Sequence, residues 1–465
     1  MFKHFLSHRA LTAFVVISSA LLNACTISKV QNSKELTDKA LPNIAIPNQF
    51  AAIPNSGGAH VDDGWLKQFN DPELNELVIE ALKNNPDIQV IAARRSQSTA
   101  LIDAAGGAQY PGVNAIGSTG GKVGSNGTGL SGYYIGASWE LDLWGRVRSS
   151  IAGAEQNAKA INADQDAARL SLIATLTKSV WLARNLQEQA QLANANALAA
   201  EKYAELIQIR EKIGASSLTE VSTAIASAAQ SKEAALNAVQ TRDQTLRAVE
   251  ILLGRYPKAQ PLKTTKLPAI PEPVGAGLPA DLLERRPDLI AAEARVNSAF
   301  YLTDEKRLAR LPKISLTAGF GYINSQVFTL LNGSNTSFGV GANAVIPLFQ
   351  GGTIEAQIAY QNAEAQAALA NYGKIVLVAF NDVENALSGE ANWRERSKQL
   401  ETQLNQQKRI MQNTRAELQI GRIDQRQVQQ QVIRTNTSEM NWRPGRLDAL
   451  TQRVNLYLAL GGSAN

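Results

Sequence analysis

The side chains best suited to chemistry are scarce in this 465-residue chain: there are three histidines and one cysteine. His4 and His8 lie with Lys3 and Arg9 ahead of an apolar run from Ala10 to Leu22. A charged start, a short apolar core and small residues up to Ala24 mark residues 1–24 as a secretory signal peptide, and the run is too short to span a bilayer as a helix. Once the signal is removed, His60 is the one histidine left. Histidine general bases, His–Cys metal centres and cysteine nucleophiles therefore drop out. Carboxylate or Ser–Lys chemistry stays open in principle, but no motif for it occurs. The expectation is no enzyme, no cofactor and no bound metal. One mature histidine and three methionines give no sign of a copper or silver relay either.

Cys25 comes directly after Leu22-Asn23-Ala24. That run resembles the bacterial lipoprotein box, whose cysteine is acylated, palmitate being one such chain, and becomes the first residue. An ordinary cleaved signal with a chance cysteine is the competing reading. Thr26 stands where an Asp would suggest retention in the inner membrane, so the expected address is the outer membrane, lipid-anchored. The mature chain keeps 44 basic against 41 acidic residues, a net charge near +3. That lacks the basic excess of a nucleic-acid-binding protein.

The remaining chemically capable residues gather after two glycines. Gly214 is followed by Glu220, and Gly421 by Arg422, Asp424, Arg426, Gln427 and Gln430. Ser217 to Glu220 has the form of a capping box, and Asp424 to Gln427 is its Asp/Gln relative. Both glycines fit the C-terminal end of a helix. Capping alone would explain several of these residues.

The elements that position them form a duplicated unit. "NNPDIQVIAARR" from Asn84 is echoed by "RRPDLIAAEARV" from Arg285, 201 residues later. The residues downstream of each phrase match as well, and the offset drifts only to 207. A helix from about Gly145 to Ile213 would have 69 residues and reach roughly 100 Å. Leu172, Leu176, Ser179, Ala183, Leu186, Ala190, Ala193, Ala197, Ala200, Ala204 and Ile207 are spaced four, three, four, three. This is a coiled-coil seam rich in alanine. The second copy keeps the register more loosely, with Glu390, Ser397, Gln407 and Thr414 interrupting. Each long helix should return as one of about 35 residues. Pro444 and Gly445 fall inside the last helix, where proline costs about 3 kcal/mol, so a kink or break is expected there.

The segments before the long helices alternate with period two. Ile135, Ala137, Trp139, Leu141 and Leu143 share one face. So do Ile314, Leu316, Ala318, Phe320 and Tyr322, and likewise Phe338, Val340, Ala342, Ala344, Ile346 and Leu348. The fourth candidate, Val113 to Val123, is Gly-rich and ambiguous. About ten residues of apolar and polar alternation fits a transmembrane β-strand, although a water-soluble hairpin has the same period. An open four-stranded sheet cannot span lipid, because its edges would be unpaired. Several chains must pool their strands.

The order of the lipoprotein box, "WLKQFNDPELNELVIEALKNNPD", "WELDLWGR", "LLERRPD", "PKISLTAGFGY" and "PLFQGG" resembles the TolC-like outer-membrane factors, specifically their lipoprotein branch. The resemblance covers nearly the whole mature chain. It implies an α+β membrane protein: a homotrimer whose twelve strands, four per chain, form a β-barrel continued by a long α-helical barrel. It implies the exit duct of a tripartite efflux system, exporting small molecules with a periplasmic adaptor protein, an inner-membrane transporter and outer-membrane lipid as partners. The expected divisions are the signal peptide, a lipidated lead-in 25–70, a first repeat 71–254, a Pro-rich linker 255–277 and a second repeat 278–465. Glu220, Arg422, Asp424, Arg426, Gln427 and Gln430 become candidates for a periplasmic gate, and Gly214 and Gly421 for hairpin turns that meet the adaptor. Family members often carry acidic residues just past the second turn, whereas Gln427 and Gln430 stand there. The alternative is a lipid-anchored coiled-coil spacer without a pore.

Overall fold

The computed structural model describes residues 29–52, 64–118, 131–272, 279–324 and 336–462. The signal peptide, Cys25 and His60 lie outside them. In chain order the principal elements are α1 (Ser33–Ala40), a 3₁₀ turn (Trp65–Phe69), α2 (Pro72–Asn84), α3 (Pro86–Gly106), β1 (Gly112–Ser118) and β2 (Ser131–Leu141). Then come α4 (Arg146–Lys212), α5 (Leu218–Leu252), α6 (Leu282–Arg285) and α7 (Pro287–Leu308). The chain continues through β3 (Lys313–Asn324), β4 (Thr336–Val345), α8 (Thr353–Gln419) and α9 (Gln425–Ala459).

The two copies match element by element. Helices α4 and α8 both have 67 residues, and α5 and α9 both have 35. Helices α3 and α7 each begin on a proline, Pro86 and Pro287, where the missing N–H costs nothing and φ is already helical. Asn85 caps α3 by accepting from the amides of Asp87 and Ile88 at 2.8 and 3.2 Å.

Three expectations need correcting. Helix α9 runs without a break through Pro444. Proline leaves the carbonyl four residues back without its helical donor, and that carbonyl, of Met440, accepts from Gln189 Nε2 at 3.0 Å. Gly445 then lets α9 lie close to α8: a Cβ there would sit 2.5 Å from Leu400 Cδ1. Strands β2 and β4 stop at Leu141 and Val345, so Leu143, Ile346 and Leu348 lie past the sheet. The Gly-rich candidate is a strand only over Gly112–Ser118, and residues 119–123 lie outside the described chain.

The chain divides into two units. The first comprises residues up to 42 with 93–163 and 290–374, and contains the sheet. Its four strands run β1-β2-β3-β4, every pair antiparallel. Here α1 is held by the fully buried Tyr372, whose hydroxyl donates to Ser33 O at 3.1 Å. Gly153, the one glycine within α4, lets α7 approach. A Cβ would stand 3.1 Å from Leu302, and Ser298 Oγ donates to the Gly153 carbonyl at 2.8 Å.

The second unit comprises 43–92, 164–289 and 375–465. Its core is aromatic, with Trp65 stacked on Tyr457 at 5.4 Å and Phe69 edge-on to Trp181 at 4.8 Å. Arg184, 1% exposed, binds the Asp71 carboxylate and donates to Glu73 Oε2 at 3.0 Å. Burial alone would raise the Asp71 carboxyl, but the Arg184 guanidinium, the Leu74 amide and the Trp181 indole together bring it below its ordinary value. Nine of the eleven seam positions on α4 are buried, which is what a close alanine seam requires. No helix among the described residues is long and apolar enough to cross a membrane.

Candidate functional site

Two regions carry the functional reading: the sheet and the paired hairpin turns. Alternation decides the sheet. Its pairing register lines up Ala115, Ile135, Phe320 and Phe338 in one row across four strands. The next row on that face is Val113, Ala137, Ala318 and Val340. Every residue of β1 and β4 is exposed, with Phe338 and Val340 both at 75%. Among the described residues nothing covers this apolar face. Two aromatic levels bound it. Tyr133 stacks on Tyr322 at 6.0 Å near one end, and Trp139 lies toward the other with its indole N–H donating to Gln109 O at 2.8 Å. Six residues of strand separate these levels, about 20 Å, close to the apolar band of a membrane barrel.

The opposite face holds Ser138, Glu140, Ser315, Thr317 and Asn343, together with many glycines. Where β2 gives way to α4, charges knit the turn. Arg146 binds Glu140 at 2.9 Å and Glu305 at 3.3 Å, and Lys313 reaches Glu140 at 2.9 Å. Asp142 accepts from the amides of Val147 and Arg148, both at 3.0 Å, and so caps α4. The period-two alternation assigns Glu140 and Asp142 no role beyond the polar side of their strand. The signal for more was two acids followed closely by Arg146 and Arg148.

The hairpin turns are built alike. Gly214 and Gly421 hold φ of +75° and +71°, the left-handed region that glycine occupies without strain. Each closes its helix by two crossed bonds. Gly214 N–H donates to Glu211 O and Ala215 N–H to Arg210 O, both at 2.8 Å. Gly421 N–H donates to Leu418 O at 3.0 Å and Arg422 N–H to Glu417 O at 2.9 Å. These are Schellman closures. Ser217 and Glu220 form the expected capping box at the start of α5. Asp424 caps α9 through the Arg426 amide at 2.9 Å, and its carboxylate also takes the Arg426 guanidinium at 2.6 Å.

These contacts set the charges at the turns. The Ser217 amide hydrogen bond holds the Glu220 carboxyl below its ordinary range. The Arg426 guanidinium does the same for Asp424, and Asp424 in turn raises Arg426, with a smaller contribution from the Glu220 charge. The ends of the two hairpins also pack on one another within one chain. Ile433 of α9 packs against the cluster of Ala200, Ala204, Ile207, Ala224 and Ala228 in the first hairpin. Arg422, Gln427 and Gln430 are exposed beside them. The structure packs the second hairpin on the first near their turns, and engages Glu220 and Asp424 in caps of their own helices.

Comparison with known proteins accords with this geometry. The outer membrane efflux protein family model matches residues 77–255 and 278–462, one match to each copy. The chain is 27% identical to the outer membrane protein OprJ of Pseudomonas aeruginosa, covering 96% of this chain and 95% of that protein. It is 26% identical to the cation efflux system protein CusC of Escherichia coli, covering 95% and 98%. Its fold superposes on the open state of the MtrE outer-membrane channel of Neisseria gonorrhoeae with a TM-score of 0.77 and 26% identity, over 95% of this chain and 99% of that one. With both copies matched, the chain belongs to the outer membrane efflux protein family, as a channel of the outer membrane that extends into the periplasm and not as an enzyme.

Proposed function

We propose that three copies of this chain form the exit duct of a tripartite pump. Their twelve strands close one β-barrel in the outer membrane, and their paired long helices continue it as an α-helical tunnel across the periplasm. Small molecules leave through it, handed on by an inner-membrane transporter and a periplasmic adaptor that meets the turns at Gly214 and Gly421. Lipidation at Cys25 adds an anchor, with 25–70 as a lead-in, 71–254 and 278–465 as the two repeats, and 255–277 as their linker. Glu220, Arg422, Asp424, Arg426, Gln427 and Gln430 line the periplasmic mouth and gate it.

One observation supports this most: among the described residues the sheet has an uncovered apolar face and two unpaired edges, β1 and β4. In lipid such edges must be paired, and neighbouring chains supply the pairing. Native mass measurement in detergent, with single-channel recording on the same sample, tests the reading. Three chains and discrete conductance are expected. A stable monomer keeping its full strand content would overturn it. Cys25→Ser, with a signal that still permits cleavage, should leave trimer in the outer membrane, because the barrel already holds it there.

A further inference from the structure

On the polar face of the sheet one large ring lies down rather than standing up. Tyr134 sits opposite Gly321 in the register, with Gly136 two residues along its own strand and Gly319 diagonal to it. A Cβ at Gly319 would come 2.1 Å from the Tyr134 hydroxyl, one at Gly136 would come 2.5 Å from Cε1, and one at Gly321 would come 3.0 Å from Cδ2. The ring therefore rests flat on three glycines, in a space that any side chain would fill. The bareness extends sideways. Gly136, Gly319 and Gly339 stand abreast across β2, β3 and β4, and nothing lies within 4 Å of where a Gly339 Cβ would be. Three adjacent strands thus carry no side chain at one level, beneath the hydroxyl end of one tyrosine.

Packing of the sheet alone does not call for this. Glycine weakens a strand by giving up both backbone entropy and side-chain contacts, and three abreast multiply that cost. Tyr133, on the apolar face, shows the ordinary alternative, a ring packed against the rings of Tyr322 and Phe320. The Tyr134 ring stays 45% exposed on top of its glycine floor. Glycines in a strand mark places where something must come close to the backbone, and here that something is the ring itself.

We infer that Tyr134 sets the bore of the outer-membrane barrel: the glycine floor holds its ring flat against the inner wall and keeps that level wide for cargo. This rests on the trimeric barrel proposed above, in which the polar face lines the lumen and three Tyr134 rings lie at one height. Raised off the floor, the three rings would point into the passage at the same level.

Single-channel recording of the full-length protein in planar bilayers tests it, with assembly followed by native mass. Gly319→Ala adds one methyl where the hydroxyl lies, so the ring must lift and conductance should fall. Adding Tyr134→Ala to Gly319→Ala should bring conductance back to the wild-type level or above. Unchanged conductance in an assembled Gly319→Ala trimer would overturn the inference, as would an equal loss in the double variant. Should Gly319→Ala fail to assemble, recovery of trimer by the added Tyr134→Ala supports the flat-ring contact, and failure to recover overturns it. A wild-type protein that gave neither trimer nor conductance would instead refute the barrel, which keeps the two failures apart.

Discussion

The hairpin α4–α5 and the hairpin α8–α9 share lengths and closures, yet their interiors are chemically different. At equivalent positions, 207 residues apart, the first buries Ala183 and Leu246 in one apolar cluster and the second pairs Glu390 with Arg453. Nearer the turns the first has Ala200, Ala224 and Ala228 in one apolar cluster. The second has Gln407, Gln431 and Thr435, with Gln431 Nε2 donating to Gln407 Oε1 at 2.9 Å and the Thr435 hydroxyl to Gln407 O at 3.4 Å. Asn237 in the first hairpin corresponds to Pro444 in the second. The two copies share a backbone path, but the second interior carries its polar residues in matched sets. Buried polar groups are tolerated when they find partners, so removing one member of a set should cost more than replacing the set.

The buried ion pair should give the largest effect. Arg453 is fully buried, binds Glu390 and also donates to the Glu272 carbonyl. Arg453→Met alone leaves the Glu390 carboxylate with only its helical neighbour Arg394, 3.2 Å away, so the loss should be large but fall toward the low end of the about 3–5 kcal/mol that breaking a buried pair costs. Arg453→Leu with Glu390→Ala recreates the apolar pair of the first hairpin and should recover most of that loss. Denaturant unfolding of the purified protein measures both. If the single variant were as mild as the double, the second interior would not depend on matched sets.

A smaller effect, with a pH signature, belongs to the first copy. Asp71 is depressed below its unfolded value of about 3.9 despite its burial. A depressed carboxyl contributes stability above the unfolded pKa and loses it as pH falls through the folded pKa. Asp71→Asn should therefore cost about 2 kcal/mol at neutral pH, and the gap to wild type should close as pH drops below about 4. A gap independent of pH would mean that Asp71 acts through packing and not through charge.

These contrasts also mark what could be seen in the sequence. Periodicity reports burial, so the alanine seam, the helix lengths, the paired glycine turns and three apolar strand faces were legible. So was the Ser217–Glu220 box, whose partners lie three residues apart. Partners distant in sequence were not. Glu390 and Gln407 looked like faults in a heptad, because Arg453, Gln431 and Thr435 lie 63, 24 and 28 residues away. Pro444 looked like a break, because its compensating donor, Gln189, lies 251 residues upstream of the Met440 carbonyl it serves. At the hairpin turns the residue types were legible, but not that Arg426 would bind Asp424, the cap of its own helix.

Gln189 supplies a third, weaker test. Gln189→Leu removes the donor to the part-buried Met440 carbonyl, a loss of about 1 kcal/mol. With Pro444→Ala the helix regains its own N–H at that position, and the same Gln189→Leu should then cost nearly nothing. A double-mutant cycle on thermal stability reads the coupling. Additive costs would show that Gln189 does not substitute for the missing helical bond.

The mouth should respond least in stability and most in conductance. Asp424 and Arg426 form a partly exposed pair at the start of α9, and surface pairs contribute about 0–1 kcal/mol, less at high salt. If capping were their whole purpose, charge reversal at Arg422 and Arg426 would fray one helix start and leave conductance alone. On the proposed gate, Arg426 turns from its own Asp424 to an acid on a neighbouring turn. Threefold repetition would triple so small a link, enough to bias a closed mouth without locking it. Arg422→Glu with Arg426→Glu should then raise single-channel conductance, leave trimer stability within about 1 kcal/mol, and lose the effect of added salt on opening. Wild-type conductance with a lowered unfolding temperature would assign these residues to their caps alone.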